Sequence, residues 1–542
     1  LWAILNQDDN EYLKGDIMKK KIAVLLGLTL FAINIIVAQE FKTQMEVVFT
    51  SEIESARLQH IKSAVDSKGK IHLVFIGSDE HPYYGTNSTG KWQFNKLEYI
   101  DTEYNETYDV ACFPNIAIDK NDNINIVMFD KYKEKILHSK KAIGAGEWSF
   151  NKIQISPEPK RFNAYGEYTD MAIDKKGGLH LVCMAEVTNQ DDHKSHKSAI
   201  YLNKPSNSKK WQLQLLVQTN DEQYNNSWFF GNNSSIACYD DKVFVAIGGS
   251  NELHFGTRNI TGGYWNIEKL LTTSDKFINS GKDMLSLAVS PNGSSKFAFF
   301  DRTDDEDSPY HGLTVFSKNS CGKKEWRGFN GFDEPLSMNC PSIAIDNNGK
   351  TYLAIGRNEF ALFHQVCDCN SEYKKIFSNS QKSGDFVDMV IDDQNTVHVF
   401  YTSNYDNQLY HLTAIPKSST EYCNYQPIVT NYTGKTNLAP GEKWTGTIKA
   451  SDTECDNIKF YSITKPDYFT INDHGNGTAT IHATIPEGDD FDETGITVFI
   501  QDDKHKDVDN KLSTITFLLK VSQDGKDKGS IKVKNKCTGS SY

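Results

Sequence analysis

From Ser63 to Tyr401 the chain writes one pattern of apolar and polar positions seven times. The clearest copy is Ser342-Ile-Ala-Ile-Asp-Asn-Asn-Gly-Lys-Thr-Tyr-Leu-Ala-Ile355, an apolar run, a polar turn and a second apolar run. Turn chemistry of this kind between two strand-like runs predicts a β-hairpin. The other copies begin at Ser63 (SAVDSKGKIHLVF), Asn115 (NIAIDKNDNINIVMF), Asp170 (DMAIDKKGGLHLVCM), Ser235 (SIACYDDKVFVAI), Ser286 (SLAVSPNGSSKFAFF) and Asp388 (DMVIDDQNTVHVFY). Self-similarity at a period of roughly 50 residues signals a propeller-type array.

After each hairpin the pattern predicts a third strand, a turn and a fourth strand that often opens on tryptophan. Trp92, Trp148, Trp211, Trp265 and Trp326 hold that place, with Tyr373 in the sixth copy. A large aromatic at one fixed point of a four-stranded repeat suits blades that bury their faces against their neighbours. The seventh copy runs to about Thr413 without a clear fourth strand, while Met45–Thr50 is strand-like and otherwise unassigned. That segment is expected to supply the missing outer strand and close the ring, which removes an exposed sheet edge. The prediction is an all-β chain with a seven-bladed β-propeller over 41–416.

Beyond Gln426-Pro427 the alternation changes to about seven short strands, as in Lys443-Trp-Thr-Gly-Thr-Ile-Lys-Ala and Thr514-Ile-Thr-Phe-Leu-Leu-Lys-Val521. This predicts an immunoglobulin-like β-sandwich over 426–522. Residues 523–542 are polar and rich in Lys, Gly and Ser, and are expected to be a disordered tail. At the other end, Met18-Lys-Lys-Lys21, the apolar run Ile22–Ala38 and Gln39 have the anatomy of a signal peptide over 18–38. Residues 1–17 do not fit before a basic n-region and read as an upstream artefact. The expected location is therefore secreted, periplasmic or extracellular, with no membrane span once the signal is removed.

Charge narrows the partners. A net charge of −13 and a pI near 5.6 leave no basic stripe to neutralise phosphates, which excludes a nucleic-acid partner. Export permits disulfides, but ten cysteines in 542 residues are too sparse for a cysteine-stapled fold. Cys183 and Cys238 fall inside predicted strands and read as buried free thiols. Cys321, Cys340, Cys367 and Cys369 cluster in sequence, but sequence alone does not pair them.

The repeats resemble the BNR or Asp-box, sialidase-like propellers of secreted carbohydrate-active and carbohydrate-binding proteins. The box itself is degraded, as in Ser88-Thr-Gly-Lys-Trp92, which lacks its aspartate. Sialidases of that family have six blades and an arginine triad. Seven copies, six arginines and no Arg-Ile-Pro signature argue against sialidase activity. Seven blades of this type look more like certain polysaccharide lyases and glycan-binding propellers, an analogy of fold only. The second domain, with Ala450-Ser-Asp and Gln501-Asp-Asp, is similar to cadherin-like modules. That resemblance implies possible calcium ligands at Asp452, Asp456, Asp502 and Asp503, against which ordinary turn aspartates are the simpler reading. No cofactor and no metal site is otherwise expected.

In such an array, loops joining the second to the third strand, and the fourth strand to the next repeat, gather on one face around a channel. Arg302 and Arg357 could clamp a carboxylate there, because the guanidinium fork matches it. His81 or Tyr168 could then move the proton in a β-elimination. Glu167 and Asp301 are the candidate carboxylate pair for a hydrolase. Arg161, Trp228 and Tyr405 complete the candidate ligand contacts. Asp170 and Asp388 open innermost strands and are placed to point into the channel. His72, His180 and His398 recur at equivalent positions, which argues for a structural role. The expected function is binding of an extracellular glycan or similar ligand at the channel face. A polysaccharide-degrading enzyme, lyase ahead of glycoside hydrolase, is the alternative. The pattern leaves oligomeric state open.

Overall fold

The repeated turn is held by its own first side chain. In the computed structural model Asp66 Oδ1 accepts the amides of Lys68 and Lys70, and Asp119, Asp174, Asp346 and Asp392 accept the equivalent pairs. The fourth turn residue must take a left-handed backbone, with φ of +72° at Gly69, +59° at Asp122, +79° at Gly349 and +60° at Asn395. Glycine, asparagine and aspartate tolerate that region best, which is why only they occur at this place.

The structure describes residues 41–534 apart from 52–57, 99, 102–105, 108–111, 131–134, 143–144, 154–161, 189–194, 219–232, 250–251, 273–284, 302–311, 320–323, 330–340, 357–359, 366–372, 380–383, 404–406, 418–426, 453–456, 463–464, 488–490, 503–512 and 522–528. The expected signal peptide lies outside the described residues, as do Cys321, Cys340, Cys367 and Cys369. All regular structure among the described residues is β-strand, and no helix there is long and apolar enough to cross a membrane.

Among the described residues between Phe41 and Pro416 the strands form seven four-stranded antiparallel sheets and one two-stranded sheet, Ile100–Asp101 with Glu106–Thr107. The first strands of the seven are Gln59–Val65, Cys112–Ile118, Phe162–Ile173, Asn233–Tyr239, Leu285–Val289, Ser342–Ile345 and Gly384–Ile391. Each first strand contacts the first strand of the next sheet, and the seventh, Gly384–Ile391, contacts the first, Gln59–Val65. The arrangement is propeller-like. In the seventh sheet the fourth strand is Phe41–Thr50, paired antiparallel with Gln408–Pro416 from Phe41 opposite Pro416 to Thr50 opposite Gln408. The pairing expected for Met45–Thr50 is thus observed, and it extends four residues further toward the N-terminus.

Each sheet buries its faces against its neighbours. Val127, Ile136, Leu181 and Trp211 form one such core between the second and third sheets, and Phe400, Leu409, Leu73 and Phe75 form another between the seventh and first. The tryptophans reach back to the preceding sheet: Trp148 meets Tyr84 at 5.0 Å, Trp265 meets Tyr201 at 4.9 Å and Trp92 meets Phe400 at 5.8 Å, all edge-on. Cys183 is buried and Cys238 partly so, and burial pushes both thiols up, away from reactivity.

The turn aspartates also explain the strand histidines. His180 bonds Asp174 Oδ2 at 2.9 Å and the Tyr201 hydroxyl at 2.5 Å; His72 stands between Asp66 and Tyr84, and His398 between Asp392 and His411. In the sixth sheet Tyr352 takes the histidine's place and donates to Asp346. These histidines are structural.

Beyond residue 427 two sheets pack face to face. Ile428–Thr433, Lys443–Ser451, Thr478–Thr484 and Phe469–Asp473 form one. Asn437–Leu438, Ser513–Val521, Phe491–Asp502 and Ile458–Tyr461 form the other, and Trp444, Phe469, Ile481, Val498 and Phe517 share the core between them. One expectation needs correction. Within the 523–542 tail expected to be disordered, Ser530–Lys534 is a strand paired with Thr514–Leu518, because its alternating Ile531 packs on the same core.

Burial drives three histidines down to about 4: His138, His364 and His411. The native state keeps them neutral, whereas the unfolded chain protonates them near about 6.5. Their contribution is therefore complete above the unfolded value and is lost as pH falls toward 4, on the order of 2 kcal/mol each by about pH 5. The melting temperature should fall by at least about 5 °C between pH 7.5 and pH 5, and His138→Gln should flatten that slope. Equal melting temperatures at the two pH values would refute this assignment.

Candidate functional site

Where the first strands enter the ring they are irregular. Register shifts fall between Gln59 and Lys62, Cys112 and Asn115, Glu167 and Asp170, and Gly384 and Val387. Within the first three of these bulges His60, Phe113 and Tyr168 have φ of +51°, +55° and +55°. Left-handed backbone costs such residues energy, so the bulge must be held by its surroundings. The result is an arc of rings. Phe386 lies 4.9 Å from His60, His60 4.7 Å from Phe113, and Phe113 4.2 Å from Tyr168. His60 and Phe113 are buried, while Tyr168 and Phe386 are half-buried.

These rings form one side of a depression into which all seven sheets contribute, with Ser234, Leu285, Ser286, Pro341 and Ser342 on the other side. The bowl encloses about 620 Å³, counting its solvent-open part. One step below the arc, register places Lys62, Asn115, Asp170, Ser235, Ser286, Ser342 and Asp388 at equivalent positions. Here a side chain of one sheet caps a backbone amide of the next. Asp388 accepts the Ser63 amide at 2.7 Å and its hydroxyl at 2.5 Å. Asp170 accepts Ile236 N at 2.9 Å and Ser235 Oγ at 2.7 Å on one side and Asn115 Nδ2 at 2.6 Å on the other. Ser235 Oγ accepts Leu287 N, and Ser286 Oγ accepts Ile343 N.

Burial pushes the Asp388 carboxyl up; Lys62 Nζ, 3.8 Å away, and the Ser63 donors oppose that, and the charge of Asp170 adds to it. The mouth therefore combines aromatic surface, serine hydroxyls, one lysine and two carboxylates. That set can stack a ring and exchange hydrogen bonds with a polyhydroxylated ligand.

Of the candidates read from sequence, Tyr168, Asp170 and Asp388 line this depression. His81 sits apart, in the turn between Ile71–Ile76 and Pro82–Thr86. Its Nδ1 lies 2.7 Å from the Asp79 carbonyl, and Asp79 also accepts Tyr83 Oη and Lys96 Nζ. Glu167 and Asp301 are placed by their backbones, opposite Met184 and Gly312. Arg161, Trp228, Arg302, Arg357 and Tyr405 lie outside the described residues. Sequence reasoning missed His60, Lys62, Phe113 and Phe386. Aligning the repeats on the turn aspartate would have stacked His60, Phe113, Tyr168 and Phe386 in one column, six residues before it.

No family model matches the chain, and no curated protein matches it in sequence. Among solved structures it is similar to an ulvan lyase, a polysaccharide lyase bound to a GlcA–Rha3S saccharide, at 12% identity and a TM-score of 0.46 over 68% of this chain and 95% of that one. It is similar to the NanB sialidase from Streptococcus pneumoniae at 10% identity and 0.36, over 69% and 70%. It is similar also to the SapL1 lectin in complex with α-methyl fucoside at 11% and 0.35, over 60% and 97%. With scores this modest, the chemistry of the mouth has to be read from its own residues.

The capping role of Asp170 is testable. Asp170→Ala strands the Ile236 amide and should lower unfolding free energy by about 1–3 kcal/mol, whereas Asp170→Asn keeps an acceptor and should cost less. Denaturant midpoints check this, and equal midpoints for the two variants would remove the cap from the account.

Proposed function

We propose that the chain is an exported seven-bladed β-propeller followed by an immunoglobulin-like module, and that it binds a glycan at the channel mouth. One observation carries the reading: the aromatic arc Phe386–His60–Phe113–Tyr168 faces a rim of serines across a bowl built by all seven sheets. Sugar rings present apolar faces and hydroxyl edges together, and a site with one aromatic side and one hydroxylated side complements both. Export rests on the basic and apolar pattern of residues 18–38, and the immunoglobulin-like module serves as a spacer.

A lyase is the second reading, because Lys62, His60 and Tyr168 share the mouth. In that reading Lys62 faces a uronate carboxylate and His60 or Tyr168 transfers the proton. A panel of neutral and anionic polysaccharides, scored separately for binding and for new unsaturated ends, separates the two. Binding without products is expected, with Tyr168→Ala weakening affinity about tenfold. Unsaturated ends from any substrate would replace the binding reading with the lyase.

A further inference from the structure

The space inside the bowl, bounded below by the residues one step below the arc that form its floor, has room for only about three water molecules. A pyranose ring does not fit there, but one exocyclic substituent does. The floor's chemistry then says which. Asp388 and Asp170 put two carboxylates beside it, against the single ammonium of Lys62, which already lies 3.8 Å from Asp388 Oδ1. Ser286 Oγ accepts the Ile343 amide, so its own proton is left to donate, and Ser342 brings a second hydroxyl. The floor offers donors and acceptors together.

A hydroxyl both donates and accepts, so it can answer both kinds of group. A carboxylate or sulfate only accepts, and would enter beside two carboxylates with one partly neutralised cation to meet it. The geometry points to a neutral hexopyranose whose ring lies on the Phe386–Tyr168 arc and whose hydroxymethyl group enters the floor, with selection against uronic acids. This rests on the glycan-binding reading of the same mouth and adds the class of sugar to it.

The experiment uses the full chain on immobilised gluco-, galacto- and manno-configured oligosaccharides. Each is matched with its pentose counterpart, lacking the hydroxymethyl group, and its uronate counterpart. In at least one series the neutral hexose should bind about tenfold tighter than both counterparts. Asp388→Asn keeps an acceptor for the Ser63 amide while removing a charge, and should narrow the gap between the hexose and the uronate. Ser342→Ala should weaken the hexose about threefold to tenfold, the range of one neutral hydrogen bond, and leave the pentose unchanged. A uronate or pentose that binds as well as the hexose overturns the sugar class while the glycan-binding reading stands. Binding to none of the nine overturns that reading, and this inference with it. If Asp388→Asn fails to fold, the Ser342→Ala comparison decides alone.

Discussion

A four-stranded sheet with apolar side chains on both faces has nowhere to hide them except against another such sheet, so the array is stable only as a closed ring. Every inter-sheet core depends on this. The seam between the seventh and first sheets is the point where the chain must be joined to itself, and three kinds of contact meet there. Phe41–Thr50 completes the seventh sheet by pairing with Gln408–Pro416. Glu46 on that strand accepts Trp92 Nε1 of the first sheet at 3.2 Å and meets His411 Nδ1 of the seventh at 2.9 Å. At the channel end Asp388 caps the Ser63 amide. Outer edge and inner wall are therefore both latched by residues more than 300 positions apart in the chain.

The inner wall shows how a polar channel can be lined without leaving backbone groups stranded. Among the described residues the first strands of neighbouring sheets form no ladder with one another, and side-chain oxygens of Asp388, Asp170, Ser235 and Ser286 take amides across the seams instead. Serine suffices where one amide is to be met. Aspartate appears where several donors converge, three of them on Asp170. These carboxylates are structural first, and any ligand meets a charge pattern that the fold has already set.

Much of the architecture was legible because it rests on local chemistry. The Asp-to-amide turn, the left-handed fourth position and the tryptophan of the fourth strand each repeat at fixed spacing, so each could be recognised in a single copy and checked in the others. The outer strand at 41–50 was legible by elimination, since one repeat lacked a strand and one strand lacked a repeat. Ser530–Lys534 was not, because its polar flanks outweighed two apolar residues that matter only once a sheet edge is available to pair with them. The mouth was largely hidden for a related reason. His60, Phe113, Tyr168 and Phe386 lie outside the apolar alternation, in bulges that break it, and a method keyed to periodicity discards what departs from the period.

That departure is also where specificity can arise. Positions inside the alternation are fixed by their neighbours: exchanging Val74 or Leu181 disturbs two sheets at once, and the turn aspartates are committed to two amides each. Bulge residues stand outside that alternation: their rings meet one another along the arc, and Phe386 also packs on the core between the seventh and first sheets. At the equivalent place three successive sheets carry His60, Phe113 and Tyr168, so the backbone device is kept while the side chain varies. A ring of like scaffolds bearing unlike side chains at its narrow end is an asymmetric surface on a nearly symmetric frame. The arc occupies one side of the mouth and the serines the other, and under the proposed glycan-binding function that asymmetry gives a ligand one orientation, its apolar face toward Tyr168 and its hydroxyls toward Ser286 and Ser342.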